Sequence, residues 1–223
     1  METDVQKLYD DRFSPQEKAA KDGIWKELCR YVQPHLPQIP EGKIVDVACG
    51  YCNFINFIET PMRKYAVDLN EDAKNYAHKD VTVFVDSVLN MDQHFEPESV
   101  NVFFMSNFLE HIDKPTISDL FKLEHSLLTK GGLMVIFTPN IRYIGGEYWD
   151  YFDHITPLTE RALEEVALLN GFRMKTCVKK FIPYTMKNTW MPLKPWLVRL
   201  YLKLMPLSSM VFGQQSFIIF EKV

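Results

Sequence analysis

The chain has 223 residues, 47% of them hydrophobic, and a formal net charge of −4, enough apolar material for one sizeable core and a single domain over residues 1–223. No apolar run reaches the length of about 18 residues that a membrane-spanning helix needs, and the acidic, polar start lacks the basic and apolar regions of a signal peptide; a cytoplasmic protein is expected. Residues 4–32 read as helical, with apolar positions at Leu8, Phe13, Ile24, Trp25, Leu28 and Val32. Within them Ser14-Pro15-Gln16-Glu17 offers a cap, a first-turn proline and a capping-box glutamate. Pro34, Pro37 and Pro40 form a stiff connector, so that residues 1–40 make an N-terminal helical cap. Strand patterns follow at 43–47, 64–68, 81–85, 100–105 and 132–137, and helical ones at about 53–60, 71–77, 115–129 and 159–169. This alternation predicts an α/β fold, a parallel sheet with helices on both faces and the ligand loops along one edge. Asn170-Gly171 caps the last of these helices, and strands at about 173–178 and 215–220 bring the total to seven.

The segment Lys43-Ile-Val-Asp-Val-Ala-Cys-Gly-Tyr-Cys-Asn-Phe54 is the most informative. A β-branched run reaches Asp46, then a turn of small residues opens an apolar stretch: strand, tight loop and helix start, which brings backbone N–H groups close to a ligand. A nicotinamide-dinucleotide fold keeps its acid about 20 residues after a glycine loop. Here one acid, Asp46, stands before the loop and a second, Asp68, after it, while only Gly50 is glycine. Two acids suit a cofactor with a cationic amino-acid end and a ribose diol, as S-adenosylmethionine has. An alanine at 48 costs little where φ is negative, and a cysteine at 52 crowds the helix start where φ is positive. The Cys49-x-x-Cys52 pair lies within this loop, and Cys29 and Cys177 supply no second pair, so reduced thiols are expected, and neither a metal site nor redox use.

These motifs resemble the class I S-adenosylmethionine-dependent methyltransferases, over most of the chain. The resemblance implies a Rossmann-like, seven-stranded, mostly parallel sheet whose last strand enters antiparallel beside the fifth. It also implies a cofactor site. Asp46 would orient the loop and the methionine end; Ala48 and Gly50 would lie against the ligand; Asp68, beside Leu69, would take the ribose hydroxyls. Asp86, with Ser87, would receive the adenine amino group, and Ser106 and Asn107 would flank the reactive end. Tyr9 and Arg12, one turn apart, either close over the cofactor carboxylate or only pack the lid helix. Asn101 replaces the aspartate that commonly begins the fourth strand, an isosteric change affecting a structural hydrogen bond. The Leu109-Glu110-His111 ending also matches, with His111 structural.

Methyl transfer to a hydroxyl needs a base. His154, in Tyr148-Trp-Asp-Tyr-Phe-Asp-His-Ile-Thr-Pro-Leu158, is the candidate, with Asp150 or Asp153 to orient it; anchoring the helix near Thr159 is the alternative role. Motifs for adenine or glutamine N-methylation, cytosine methylation and a catechol-type metal triad are absent, and no nucleic-acid partner is expected. What remains is a small hydroxylated molecule, a sugar (as a phosphate or in lipid- or nucleotide-linked form) or a carboxylate. Tyr9, Arg12-Phe13, Trp25, Gly50–Asn56 and His154–Leu158 are similar to methyltransferases of bacterial surface-polysaccharide biosynthesis. The alternative function is an S-adenosylmethionine-binding module without catalysis.

Charge is uneven. No Asp or Glu occurs from Val166 to Phe220, while Arg173, Lys175, Lys179, Lys180, Lys187, Lys194, Arg199 and Lys203 all lie there. Either these meet an anionic partner or they solvate an apolar stretch and pair with acids elsewhere. Residues 181–212 form an insertion, in which Pro195–Met205 predicts a helix stopped by Pro206. Its pattern fits a lid over the acceptor, with Arg199 and Lys203 recognising negative charge, or peripheral contact of 195–205 with the inner membrane face.

Overall fold

The computed structural model describes residues 15–183 and 194–223, with side chains from Lys21 onward in the first stretch. Tyr9, Arg12 and Lys187 lie outside the described residues. In chain order the main elements are α1 (Pro15–Val32), β1 (Lys43–Val47), α2 (Asn53–Phe57), β2 (Arg63–Asp68), α3 (Ala73–Tyr76), β3 (Val81–Val85), β4 (Val100–Ser106), α4 (Lys114–Leu127), β5 (Leu128–Pro139), α5 (Glu160–Leu169), β6 (Phe172–Val178), α6 (Pro195–Lys203), α7 (Leu207–Phe212) and β7 (Gln215–Lys222). One seven-stranded sheet runs β3-β2-β1-β4-β5-β7-β6. β7 is antiparallel to both of its neighbours and every other pair is parallel. The strand order reverses between β1 and β4, which opens a crevice at the carboxyl ends of the strands.

Near-continuous apolar strands follow from burial on both faces. Side chains alternate across the sheet, so Val45, Phe103, Met134 and Ile218 meet α4 and α5 on one face. On the other face Ile44, Phe104, Val135 and Phe217 meet Leu28 and Val32 of α1, Phe54 of α2 and Val198 of α6. The Phe54 ring stacks on Phe104, and Trp25 stacks on Phe137 and meets Phe104 edge-on, which fixes α1 and α2 over the central strands. Asn101 accepts the Lys43 N–H at 2.8 Å and donates to Thr129 Oγ1 at 3.3 Å, a structural role tying β1, β4 and β5.

Four local readings change. The helix after the loop ends at Phe57, because Ile58 turns extended, and the next helix is only Ala73–Tyr76. β5 starts earlier than its hydrophobic run, at Leu128, through a register shift against Val100. Pro206 does not end the insertion's helical structure; α6 ends at Lys203 and Pro206 is the N-cap of α7. Gly171 has φ +82° after α5, a left-handed cap that glycine adopts without strain.

Several of the C-terminal charges are met by acids. Arg199 donates from Nε and Nη2 to the Glu27 carboxylate of α1, at 2.9 and 2.7 Å, and Arg199 holds that buried carboxyl below its usual range. Arg173 and Lys175 pair with Glu221, and Lys179 with Glu160. The expectation that Arg199 recognises an acceptor is therefore corrected: its fork is seated on α1, where it locks α6 to the cap.

Candidate active site

The loops after β1, β2 and β3 meet at one edge. Asp46 is buried, and its Oδ2 accepts the Ile55 N–H at 3.3 Å, which ties the end of β1 to α2 across the loop. Burial, and then the nearby Asp68 charge, push the Asp46 carboxyl well above the usual range. Ala48, Gly50 and Cys52 all have positive φ, +53°, +52° and +56°. Negative φ at Ala48, on which its low cost depended, is corrected: the loop holds the left-handed twist of a three-glycine loop with one glycine. A Cβ at Gly50 would meet no atom within 4 Å, so the backbone there faces open space. The thiols of Cys49 and Cys52 are free, with sulfurs 3.5 Å apart.

Asp68 closes β2 and braces this loop. Its Oδ2 accepts the Gly50 N–H at 2.7 Å and its Oδ1 accepts the Asn70 N–H at 2.9 Å. Each oxygen keeps a second lone pair for a hydroxyl donor. Leu69 beside it is 65% exposed, a large apolar surface at the mouth of the crevice. Asp86 follows β3 and is more heavily engaged: Oδ1 accepts from Ser87 N and Asn90 Nδ2, and Oδ2 lies 2.8 Å from His94 Nε2. The Asn90 and His94 contacts hold its carboxyl below the usual range. An adenine amino group would share these oxygens. Ser87 Oγ accepts the Leu89 N–H and opens a 3-10 turn, Val88–Gln93. At the end of β4, Asn107 has φ +50° and donates its N–H to the Phe137 carbonyl. Its Oδ1 is buried and accepts no hydrogen bond within the protein, an acceptor left over beside Ser106.

The loops after β4 and β5 build a second cluster. The Glu110 carbonyl accepts from both Ile155 N and Thr156 N, which pins the β5–α5 connection onto the end of β4. Glu110 is buried, its Oε1 accepts the Tyr148 hydroxyl at 2.6 Å, and burial raises its carboxyl to about 7. The Tyr148 ring stacks on His154 with centroids 4.0 Å apart. His154 Nδ1 lies 2.6 Å from the Tyr148 carbonyl oxygen. A carbonyl only accepts, so Nδ1 carries a proton, and in the neutral ring Nε2 is the nitrogen with the lone pair. His111 Nδ1 faces the Asp153 carbonyl at 3.0 Å in the same way, and its ring centroid is 4.9 Å from that of His154. Asp153 thus orients His111.

His111, Asp153 and His154 each present one ligand atom within 4.8 Å of the others, the one such group among the described residues. A tetrahedral metal with bonds near 2.1 Å brings its ligand atoms to about 3.4 Å, so the group would have to contract to hold one. An open hollow of about 680 Å3 lies at the opposite edge, beside the start of β2. Its Arg30, Arg63 and Lys64 each pair with an acid, which leaves it without the chemistry of the crevice.

Sheet order, antiparallel β7 and a loop after β1 braced by the acid of β2 define the class I methyltransferase fold. The family described as "Methyltransferase domain" matches residues 17–176, and the chain belongs to it. Its cofactor is S-adenosylmethionine. Among solved structures, a SAM-dependent methyltransferase from Archaeoglobus fulgidus aligns at 18% identity and TM-score 0.61, covering 89% of this chain and 94% of that one. A geranyl diphosphate C-methyltransferase from Streptomyces coelicolor A3(2), in complex with Mg2+, geranyl diphosphate and S-adenosyl-L-homocysteine, aligns at 19% and 0.64, covering 88% and 78%. A Haloferax volcanii putative methyltransferase complex with the Trm112 activator aligns at 13% and 0.66, covering 92% of each chain. Likeness at these identities is one of fold. No curated protein matches the chain.

The crevice fits the cofactor on its own geometry: open space at Gly50, spare lone pairs on Asp68, and the unsatisfied Asn107 Oδ1. Glu110 and Tyr148 stand within the two segments that the sequence brings forward, but nothing in it gives them a role. Glu110 stood inside a motif whose histidine drew the attention, and its partner lies 38 residues away.

Proposed function

We propose that the chain O-methylates a small hydroxylated, sugar-like acceptor, with His154 as the general base. The carrying observation is the His154 tautomer: its Nδ1 proton is fixed on the Tyr148 carbonyl, which leaves Nε2 to take a proton. When bound, S-adenosylmethionine supplies an electrophilic methyl group on sulfur. This chain's residues do the rest by alignment and proton transfer. Asp68 accepts from the ribose diol, Leu69 covers an apolar face, and Asp86 with Ser87 lies at the adenine end. Asp46, Ala48 and Gly50 shape the loop at the methionine end; there a cationic amino group would favour ionised Asp46. Ser106 and Asn107 flank the reactive centre. As His154 Nε2 takes the acceptor proton, the Tyr148 carbonyl stabilises the imidazolium at Nδ1. Glu110 holds Tyr148 from behind.

The sugar-like acceptor is supported by the likeness of Gly50–Asn56 and His154–Leu158 to polysaccharide-linked methyltransferases. A binding module without catalysis is the second reading, favoured by the two non-glycine residues at positive φ in the loop. Labelled cofactor incubated with sugar nucleotides, polyprenyl-linked sugars and phenols separates the two. Acceptor-dependent S-adenosylhomocysteine release that falls in His154→Ala supports the enzyme. Cofactor binding by calorimetry with no turnover on any acceptor supports the module.

A further inference from the structure

Helices α6 and α7 are apolar on more than their core-facing side. Val198, Leu202 and Met205 pack against the core, and the pair is tied down by polar contacts: Arg199 is clamped on Glu27, the Tyr201 hydroxyl donates to the Phe181 carbonyl at 2.8 Å, and Ser208 donates to the Tyr201 carbonyl at 2.7 Å. Val198 and Ser209 are the residues they bury. Their outer side carries the large apolar residues. Trp196, Leu200, Leu204, Leu207, Met210, Val211 and Phe212 are all exposed, Leu207 by 72% and Val211 by 71%. Scattered exposed leucines need no explanation, but Trp196, Leu200 and Leu204 recur every four residues along α6 to its C-cap, and Leu207, Met210 and Val211 share one stripe of α7; exposed apolar stripes on two successive helices mark an interaction surface.

Charge selects the occupant. Lys194 and Lys203 border the patch, and no Asp or Glu occurs from Val166 to Phe220. A second copy meeting this face across a two-fold axis would bring like-charged segments together with no acid of their own to offset them. An anionic lipid surface offers both an apolar layer and negative headgroups. No helix among the described residues is long and apolar enough to cross a membrane, and the nine residues of α6 span roughly 14 Å. The pair can lie only in the plane of the interface. It also sits close to the crevice. Pro195 packs against Gly23 of α1, where a Cβ would collide with the proline ring, and the neighbouring Asp22 accepts from Asn53 at the start of α2.

We propose that the outer face of α6–α7 docks the protein on an anionic membrane surface. The proposal does not depend on His154 or on the acceptor. The test is flotation of the full chain with vesicles of phosphatidylcholine alone and of phosphatidylcholine mixed with phosphatidylglycerol. Binding to the mixed vesicles, weakened by salt, is the expected result. Leu207→Gln with Val211→Gln, both far from the core, should lower the partition coefficient about 10-fold or more. Lys203→Gln should lower it about fivefold. Met210→Gln serves as the apolar variant if the double variant melts low. A wild-type chain that ignores phosphatidylglycerol vesicles overturns the proposal, as does unchanged partition of the apolar variants. A wild-type dimer that those variants convert to monomer, without vesicle binding, assigns the face to a second copy and overturns it too.

Discussion

The crevice has two halves that are built differently. Over β1 to β3 the acids end their strands and hold nearby backbone: Asp46 reaches Ile55 over 9 residues and Asp68 reaches Gly50 over 18. Over β4 and β5 the contacts join segments much further apart, Glu110 to Tyr148 over 38 residues and His111 to Asp153 over 42. Two carboxyls mark the contrast. Half-buried Asp86 is held low by Asn90 and His94, while buried Glu110 is pushed up to about 7, as burial also raises Asp46 beneath the first loop. One half offers fixed acceptors to a ligand; the other holds Glu110, whose carboxyl is brought near neutrality.

That contrast can be tested first through stability. Glu110 has a folded value of about 7 against an ordinary 4.5. A raised carboxyl contributes stability that is fully present below the unfolded value and lost as pH rises through the folded one. The loss across this window is about 3 kcal/mol. Urea unfolding at pH 5 and pH 8 should show wild type losing about that much more than Glu110→Gln. The difference between proteins is the reading, because Asp46 and Glu124 are raised by burial as well. Equal losses would mean that Glu110 is not the titrating group and that the two halves do not differ in this way.

The base is the next test. His154→Ala should reduce turnover about 100-fold, or ~2.7 kcal/mol, with cofactor affinity nearly unchanged. Turnover near that of wild type would make His154 an anchor of the β5–α5 connection. Asp68→Ala probes the other half and should do the reverse in kind. Calorimetry should show cofactor binding weakened by about 1.5–3 kcal/mol, the range for hydrogen bonds to a charged group, in a chain that still folds. Unchanged affinity in the folded variant would remove Asp68 from the site.

The same division explains what the sequence made legible. Seven strands, their order of appearance and the acids at their ends could be read because each rests on a local pattern: alternating burial, a strand-to-loop step, a capping glycine such as Gly171. Short helices failed at their ends, since Ile58 turns extended without a glycine or proline of its own. α7 was missed because Pro206 reads as a stop in a linear pattern but serves as an N-cap in the fold. Tyr148 and His154 share one segment, but the link from Tyr148 to Glu110, 38 residues away, had no local signature. That link depends on where the β5–α5 connection crosses back onto Glu110. Arg199 shows the same limit: its charge was visible, but its partner Glu27 lies 172 residues away in sequence.

The smallest effect concerns the loop that joins sequence to cofactor most directly. Ala48 sits at φ +53°, where an L residue with a Cβ is strained by about 1–2 kcal/mol. Glycine relieves that strain but loses more chain entropy on folding, about 0.5–1 kcal/mol. Relief exceeds the entropic cost at a left-handed position, so Ala48→Gly should stabilise the fold by roughly 0.5–1 kcal/mol, measured as a rise in the unfolding midpoint. Cys52, at φ +56°, is the internal control. Its side chain is fully buried and lies near Cys49 and the Ala73 carbonyl, so Cys52→Gly trades strain for lost packing and should gain less or become destabilising. Cofactor affinity of Ala48→Gly should stay near that of wild type, because the loop already has the twist that glycine permits. A destabilised Ala48→Gly would show that the loop tolerates its alanine without strain. The departures from a three-glycine loop would then carry no energetic cost, and with them would go the main support for a module that binds the cofactor without catalysis.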